Sequence, residues 1–327
     1  MQSAGKSERE LIRRIGVALV GAADNPALVP FGDDMAALSD ATPGLLWTVD
    51  MLMDGVDFDS RRHAWRDIGR KALAVNFSDC AAMAARPVAA LCAVALESRL
   101  SMDDALGLFA GMQEMAARFG CKIAGGDTNS WDRPTVVSLT VAGRTPDGVR
   151  PILRSGARPG DAIYLTGPVG GSILGRHLTF EPRVDLAIEV ARLLAPTAMI
   201  DISDGLSLDL WRICEASGVG AVIDDDHLAA AIHADARRLA DQDGRPADEH
   251  ALCDGEDFEL IVVLPPGDES SGRATGGSND RRSVAESLGL LALGEIVAES
   301  GLWRQARGGP RRPIEPRGWE HFRDAAR

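Results

Sequence analysis

The sequence predicts a two-domain α/β protein, and three observations lead to this prediction. The chain has 327 residues, more than one hydrophobic core usually serves. Short β-like apolar runs alternate with longer helical patterns along it. A connection rich in proline and arginine, RTPDGVRPILRSGARPGD, separates two such series. We therefore place the domain boundary near residue 150 and expect domains over residues 1–149 and 150–327.

The first half alternates helices and strands that apolar periodicity and turn residues define. In chain order they are a helix over 9–19, strands at MAALS and LLWTVDML, a helix from about Asp67 to Ala85, a strand at PVAALCAVAL, a helix over 102–119, and strands near 121–124 and 135–144. The helix from Asp67 has an apolar row at Ile68, Ala72, Val75, Ala82 and Met83. PVAALCAVAL is uninterrupted and therefore typical of a buried strand, and Gly120 is expected to cap the helix that follows it.

The second half begins with a predicted strand at AIYLTG. A helix is predicted after DISDG, because Leu206, Leu210, Ile213 and Cys214 share one face of it. Further strands are predicted at GAVID, FELIVVLP and LALGEIV. Residues 267–283, GDESSGRATGGSNDRRS, have the composition of a loop throughout.

Charge and composition exclude several classes of partner. The net charge is −13, which opposes non-specific binding to nucleic acid or anionic lipid. No apolar run approaches the roughly 18 residues that a transmembrane helix needs. MQSAGKSERELIRRIG lacks the plan of a secretion signal, and the five cysteines include no C-x-x-C pair, so we expect a cytoplasmic protein with reduced thiols and no zinc site.

Aspartates recur at the ends of apolar segments. Asp33 and Asp34 are adjacent in GDDMAAL, where they form either an Asp-rich turn or part of a cation site. Other acids end or follow apolar runs: Asp50, Asp127, Asp201 and Asp204. Magnesium typically binds one or two carboxylates together with phosphate oxygens and water, so several converging aspartates indicate a multi-magnesium nucleotide site. Helix N-capping is the alternative for Asp201 and Asp204, and would explain one of them more readily than both.

Asp79 is the most informative single residue. It lies four positions after Val75, on the row of its helix that faces the core. A buried lone carboxylate is unfavourable unless it is paired, hydrogen-bonded or bound to metal, and the alternative is a structural acid that accepts backbone N–H groups. The common nucleotide motif G-x-x-x-x-G-K-[ST] is absent, and TGPVGGS does not match G-x-G-x-x-G. If this protein binds ATP, it therefore uses a different nucleotide-binding motif.

Taken together, the segments resemble the thiamine-monophosphate kinases of the aminoimidazole ribonucleotide synthetase superfamily. The blocks that carry the resemblance are, in order, FGDDMAAL, TVDMLMDGVDF, DIGRKALAVNFSDCAAMAARP, IAGGDT, RSGARPGD, DISDGLSLDL, DGEDFEL and RGWEHF. They span nearly the whole chain. The resemblance implies the superfamily's two-domain α/β (α+β) fold, with an N-terminal sheet that pairs across a homodimer and a C-terminal domain that closes over the nucleotide.

The resemblance also implies a reaction and a set of site residues. The reaction is transfer of the γ-phosphoryl group of ATP to thiamine monophosphate, assisted by several Mg²⁺ ions and dependent on positioning without a dedicated catalytic side chain. The positions that bind magnesium in the family correspond to Asp34, Thr48, Asp50, Asp79, Asp127, Asp201 and Asp204. Nucleotide-side positions correspond to Gly126, Asp127, Arg154 and Ser203, and acceptor-side positions to Asp57, Glu256 and Trp319.

Three positions depart from the family pattern. Val49 stands where the family often has threonine, and its side chain cannot bind metal. Asp57 replaces the usual histidine of a G-x-H-F block, and Trp319 stands where tyrosine is frequent. Because two of these changes are on the acceptor side, two alternatives stay open: a paralogue that uses ATP on another phosphate or acid, and a non-catalytic nucleotide-binding protein.

Overall fold

The computed structural model describes residues 33–37, 45–266 and 281–320, and two β-sheets organise this part of the chain. The first sheet has the strand order β1-β2-β5-β3-β4. Its strands are β1 (Ala36–Ala37), β2 (Leu45–Met53), β3 (Arg86–Glu97), β4 (Lys122–Trp131) and β5 (Val136–Arg144). Neighbouring strands are antiparallel except β3 and β4, which are parallel because helix α2 (Met102–Phe119) connects them.

Helix α1 (Trp65–Ala82) and helix α2 pack closely against each other, and glycines allow the contact. A Cβ atom on Gly69 would lie 1.8 Å from the carbonyl oxygen of Leu108. A Cβ atom on Gly111 would lie 1.9 Å from the carbonyl oxygen of Arg66. The two backbones therefore meet directly, which fixes α1 and its buried row against the sheet.

The second sheet has the strand order β12-β11-β8-β10-β6-β9-β7. Its strands are β6 (Ala162–Leu165), β7 (Ala198–Asp201), β8 (Gly220–Asp224), β9 (Leu260–Leu264), β10 (Leu291–Val297), β11 (Gly301–Gln305) and β12 (Arg311–Ile314). Its helices are α3 (Arg176–Thr179), α4 (Val184–Leu194), α5 (Leu206–Ser217), α6 (Asp225–Ala231), α7 (Ala234–Asp243), α8 (Ala247–Cys253) and α9 (Arg281–Ser287). A 3-10 turn at Ser172–Leu174 precedes α3.

One hydrophobic core joins the two sheets. It contains Phe77 of α1 and Leu139 of β5 together with Val184 of α4 and Val262 of β9. Helix α1 lies between the sheets, packing against β2 and β5 on one side and α4 and β7 on the other. The end of α1 is consequently held near the end of β7, where two of the predicted acids lie.

The predicted mixed α/β architecture is confirmed, and several elements need correction. Helix α1 ends at Ala82, before the predicted Ala85, because Ala84 adopts a left-handed backbone with φ of 53°. Strand β3 is not buried as predicted, since Val88 is 40% and Leu91 is 48% exposed. Residues 281–283, predicted as loop, begin helix α9.

Some predictions fall partly or wholly outside the described residues. These are the helix over 9–19, the last two residues of MAALS, and the loop over 267–280. The predicted domain boundary near residue 150 lies in the connection between Arg144 of β5 and Ala162 of β6, and it stays a prediction. Within the described ranges, every helix is too short or too polar to cross a membrane.

Candidate functional site

Three carboxylates from distant parts of the chain meet at the junction of the two sheets. Asp34 lies just before β1, Asp79 in the last turn of α1, and Asp201 at the end of β7. One oxygen from each lies within 4.8 Å of the other two. The Ser78 hydroxyl donates to Asp201 Oδ2 at 2.7 Å, and the Thr48 hydroxyl donates to Asp79. These bonds orient Asp79 and Asp201.

The charges in this group are not balanced. Burial raises the pKa of Asp79 well above its ordinary value, and the charges of Asp50 and Asp201 raise it further. Burial and the charge of Asp34 raise the pKa of Asp201 in the same way. The pKa of Asp50 is raised to about 6, chiefly by burial. Its Oδ2 atom is buried and has no hydrogen-bond partner in the described part of the chain. A hard divalent cation would satisfy that atom and remove the repulsion, so these residues fit magnesium.

The adjacent acids Asp33 and Asp34 have different surroundings. Asp33 Oδ1 accepts the N–H of Asp34 at 3.0 Å, and Asp33 Oδ2 accepts the N–H of Arg154 at 3.2 Å, as expected for an acid that shapes a turn. Asp34 instead forms a two-pronged ion pair with the Arg154 guanidinium, with Nη2–Oδ1 and Nε–Oδ2 distances of 2.7 and 3.1 Å. The turn interpretation therefore applies to Asp33, and the cation site at Asp34 stays a prediction.

Arg212 and Asp209 form a second charged group around Asp204. Arg212 donates to Asp204 Oδ2 and to Asp209 Oδ1, each at 2.5 Å. Asp209 Oδ2 accepts the N–H groups of Asp204 and Gly205, both at 3.0 Å. Helix α5 is capped by the main chain of Gly205 and, within the described residues, has no side-chain cap. The N-capping alternative for Asp201 and Asp204 is therefore wrong, because Gly205 occupies the N-cap position and neither aspartate caps the helix.

A cavity of about 660 Å³ extends from the acids between the two halves. It is lined by six of the residues selected from the sequence: Asp50, Asp57, Ser203, Asp204, Glu256 and Trp319. Trp319 is 54% exposed and its main-chain N–H donates to the Asp204 carbonyl at 2.9 Å, which holds the C-terminal segment over the cavity. Residues predicted to bind metal and residues predicted to bind the acceptor therefore line the same cavity.

A second cavity, of about 440 Å³, lies between α2 and strands β3 and β4. Apolar side chains such as Val94, Phe109 and Met112 line it, together with Gly126 and Asp127. A Cβ atom on Gly126 would lie 1.8 Å from the Cys92 carbonyl oxygen, so β4 can follow this course only with glycine there. Asp127 is exposed, and the structure does not place it in the three-carboxylate group.

Val49 lies away from the acids. The side chains of Leu46, Thr48 and Leu52 point to the buried face of β2, and Val49, which is 63% exposed, points to the opposite face. Because side chains alternate along a strand, a threonine at position 49 would also point away from Thr48 and Asp79. Within one chain, this departure does not remove a side chain from the carboxylate group.

The sequence reasoning missed a charged residue beside Asp57 and Glu256. Lys71 is fully buried, and its Nζ lies 2.5 Å from Glu256 Oε1 and 2.6 Å from the carbonyl oxygen of Asp57. The Asp57 carboxylate accepts the N–H of Met53 at 2.7 Å. A signal was present, because Lys71 precedes Val75 by four residues and so shares the row that singled out Asp79. Arg212, Asp209 and Ser78 were also missed. Asp209 is fully buried and lies three residues after Leu206 and four before Ile213, so the same argument from the apolar row would have found it.

Comparisons with known proteins agree with this geometry. Residues 32–145 match the family model described as AIR synthase related protein, N-terminal domain. The thiamine-monophosphate kinase of Rhodopirellula baltica is 37% identical over 315 residues, covering 94% of this chain and 93% of that protein. The Bacillus subtilis thiamine-monophosphate kinase is 35% identical and covers 72% and 77% of the two chains. A solved structure described as AaThiL complexed with AMPPCP and TMP superposes with a TM-score of 0.80 at 25% identity, covering 97% of each chain.

Proposed function

The chain belongs to the thiamine-monophosphate kinase family, and from this premise we propose that it transfers the γ-phosphoryl group of ATP to thiamine monophosphate, giving ADP and thiamine diphosphate. The carrying observation is the group of Asp34, Asp79 and Asp201, whose oxygens converge within 4.8 Å. Asp50, whose charge raises the pKa of Asp79, lines the cavity together with Glu256 and Trp319. The solved structure described as AaThiL complexed with AMPPCP and TMP, which superposes on this chain, supports the proposal.

We propose that the acids around this group hold Mg²⁺. The proposed ligands are Asp34, Thr48, Asp50, Asp79, Asp201 and Asp204; Asp127, the seventh ligand that the resemblance implies, lines the second cavity apart from this group. When bound, magnesium neutralises phosphate oxygens as charge develops in phosphoryl transfer. The orphaned Oδ2 of Asp50 and the raised pKa of Asp50, due first to burial, are the features of this chain that support the assignment.

The residues proposed to bind the nucleotide form an apolar cavity for its base and supply hydrogen-bond donors for its phosphates. The apolar cavity beside Gly126 suits an adenine ring, since nucleobases pack between apolar side chains and a close main chain. Arg154 has the forked donors that suit phosphate, and we propose that nucleotide binding draws it partly away from Asp34. Ser203 lines the large cavity next to Asp204, where its hydroxyl can meet a phosphate oxygen.

The acceptor-side residues bind and orient the acceptor. Thiamine monophosphate carries a cationic thiazolium and a phosphate that is largely ionised near neutral pH, so its attack needs alignment more than a base. Glu256 can attract the thiazolium, and the Trp319 ring can stack against a cation or an aromatic ring. Asp57 adds a carboxylate to the same wall in place of the family's histidine.

We also propose a homodimer that forms through the outer face of the first sheet. Val49 and Leu91 are both paired with Thr140, so the three residues form a row across β2, β5 and β3. Val49 and Leu91 are 63% and 48% exposed, and Met51, on the same face of β2, is 59% exposed. A second copy would cover this apolar face, as the family resemblance implies. A cytoplasmic location accords with the use of ATP and is proposed with it.

The test is a phosphotransferase assay with purified protein, ATP and Mg²⁺. Thiamine monophosphate and a panel of other phosphorylated acceptors are offered singly, and ADP and the phosphorylated product are measured. Thiamine diphosphate is the expected product, and Asp79→Asn should reduce turnover about 100-fold or more, because it removes a charged ligand. Asp185→Asn, on an exposed side chain of α4, is the control with unchanged turnover. Turnover of another acceptor alone would favour the paralogue, and none would favour the non-catalytic protein.

A further inference from the structure

Lys71 is a buried cation that links Asp57 and Glu256, two residues predicted to bind the acceptor. Its side chain projects from α1 and has no solvent exposure. Its Nζ reaches Glu256 Oε1 at 2.5 Å, the Asp57 carbonyl oxygen at 2.6 Å and His177 Nδ1 at 3.1 Å. The two oxygens accept from the ammonium group and come from two different segments of the chain, and His177 Nδ1 lies beside them as a donor to Glu256. A buried lysine is rare unless it is paired in this way.

The segment that carries Glu256 needs external support. Glu256 has a φ of 60°, a left-handed conformation that a residue with a side chain seldom adopts. Its N–H donates to the Ser203 carbonyl oxygen at 2.7 Å, so this main chain is fixed to the residue beside Asp204. Left-handed residues of this kind persist where surrounding contacts over-determine them, often at binding sites. Lys71 supplies such a contact from the opposite side.

The charge of Glu256 also depends on these neighbours. Its side chain is 30% exposed, facing the cavity at one end and Lys71 at the other. Burial raises the pKa of Glu256, but the hydrogen bond from His177 and the charge of Lys71 outweigh burial and hold the pKa below its ordinary value. His177 Nδ1 lies 3.2 Å from Glu256 Oε2, so both carboxylate oxygens have a partner.

We propose that Lys71 is a positioning residue for the acceptor: it holds Glu256 ionised and aimed into the cavity, and fixes it relative to the main chain of Asp57. This proposal rests on the proposed function, because the acceptor is the ligand that Glu256 and Asp57 would meet. Lys71 borders the cavity but has no solvent exposure, so we assign its effect on the acceptor to Glu256 and Asp57. Its loss should therefore weaken acceptor binding through Glu256 and leave the nucleotide side unaffected.

The test is a double-mutant cycle with Lys71→Met, Glu256→Gln and the double variant. Michaelis constants for thiamine monophosphate and for ATP are measured for each. We expect each single change to raise the acceptor KM about tenfold or more, the range for a hydrogen bond to a charged group, with the ATP KM within about twofold. In the double variant the acceptor KM should match the worse single variant, because Lys71 acts through Glu256.

Two further variants separate positioning from general structural support. Arg70→Met removes a neighbouring charge from the same helix without touching Glu256 or Asp57, so its acceptor KM should equal that of the wild type. Lys71→Arg keeps a cation and should recover part of the loss; it replaces Lys71→Met in the cycle if the methionine variant does not fold.

The outcomes distinguish this inference from the function on which it rests. Independent, multiplicative effects of Lys71 and Glu256, an equal rise in the ATP KM, or a wild-type acceptor KM in Lys71→Met would overturn the positioning role alone. A wild-type protein that makes no thiamine diphosphate would overturn the proposed function, and the acceptor role of Lys71 with it.

Discussion

Replacing Asp50 by asparagine should stabilise the metal-free protein at neutral pH while removing its response to magnesium. Burial, with the charges of Asp34, Asp57 and Asp204, raises the pKa of Asp50 from 3.8 to about 6. A rise of about 2 units corresponds to about 3 kcal/mol of free energy that opposes ionisation in the folded state. Asparagine has nearly the same shape and carries no charge, so it avoids this penalty.

The direction of the pH dependence follows from the raised pKa. The folded protein retains the Asp50 proton at pH values where the unfolded chain has lost it, so this contribution to stability is full below pH 3.8 and is lost as the pH rises through about 6. At pH 7.5 without metal, Asp50→Asn should therefore raise the free energy of unfolding by about 3 kcal/mol, whereas at pH 4 the variant and the wild type should differ little.

The assay is urea unfolding with EDTA or with Mg²⁺ at both pH values. Magnesium should stabilise the wild type at pH 7.5 and stabilise Asp50→Asn much less, because a ligand is missing. Asp161→Asn is the control: Asp161 is buried but accepts bonds from Thr197 Oγ1 at 2.7 Å and Arg158 N at 2.9 Å, so this variant should lose stability and keep its magnesium response. An Asp50→Asn protein less stable than the wild type at pH 7.5 in EDTA would refute the reasoning.

Three further predictions test other parts of the molecule. Asp57→His should lower the KM for thiamine monophosphate and leave that for ATP nearly unchanged, because it removes a carboxylate of the cavity wall that repels the acceptor phosphate; an unchanged acceptor KM in steady-state kinetics would argue against it. Light scattering at micromolar protein should give twice the chain mass. Met51→Lys, on the exposed face of the first sheet, should give monomers. A wild-type monomer with full activity would exclude the proposed dimer. Gly126→Ala should weaken ATP binding and lower thermal stability, since its Cβ would lie 1.8 Å from the Cys92 carbonyl oxygen; calorimetry showing wild-type affinity and stability would contradict this.

Much of the fold could be predicted because its elements carry strong local patterns. Helix α2 begins where Ser101 Oγ accepts the N–H of Asp104, and it ends at Gly120, which has a left-handed backbone. The sequence analysis predicted both ends correctly. The family membership and the ATP-dependent phosphotransferase class are likewise confirmed by the comparisons. Strand β3 was misjudged because an apolar run has the same composition whether it faces a core or an uncovered sheet face.

The candidate site was predicted less evenly. Asp34, Asp79 and Asp201 were found because each interrupts or ends an apolar segment, and the structure brings them together. Arg212, which pairs with Asp204 and Asp209, was missed, since an arginine gives no sign in the sequence of which acid it will contact. Lys71 could have been found by the argument used for Asp79. The roles of all these residues in binding metal, nucleotide and acceptor stay predictions.

The central claim is that the convergent carboxylates hold divalent cations against the nucleotide phosphates, and anomalous diffraction tests it most directly. Crystals grown with Mn²⁺ and AMPPCP would be measured above the manganese absorption edge, with Mn²⁺ standing in for Mg²⁺. The account predicts anomalous peaks between the carboxylates of Asp34, Asp79 and Asp201 and the phosphate oxygens of the analogue. Bound nucleotide without manganese at these three residues, or manganese bound only elsewhere, would contradict it.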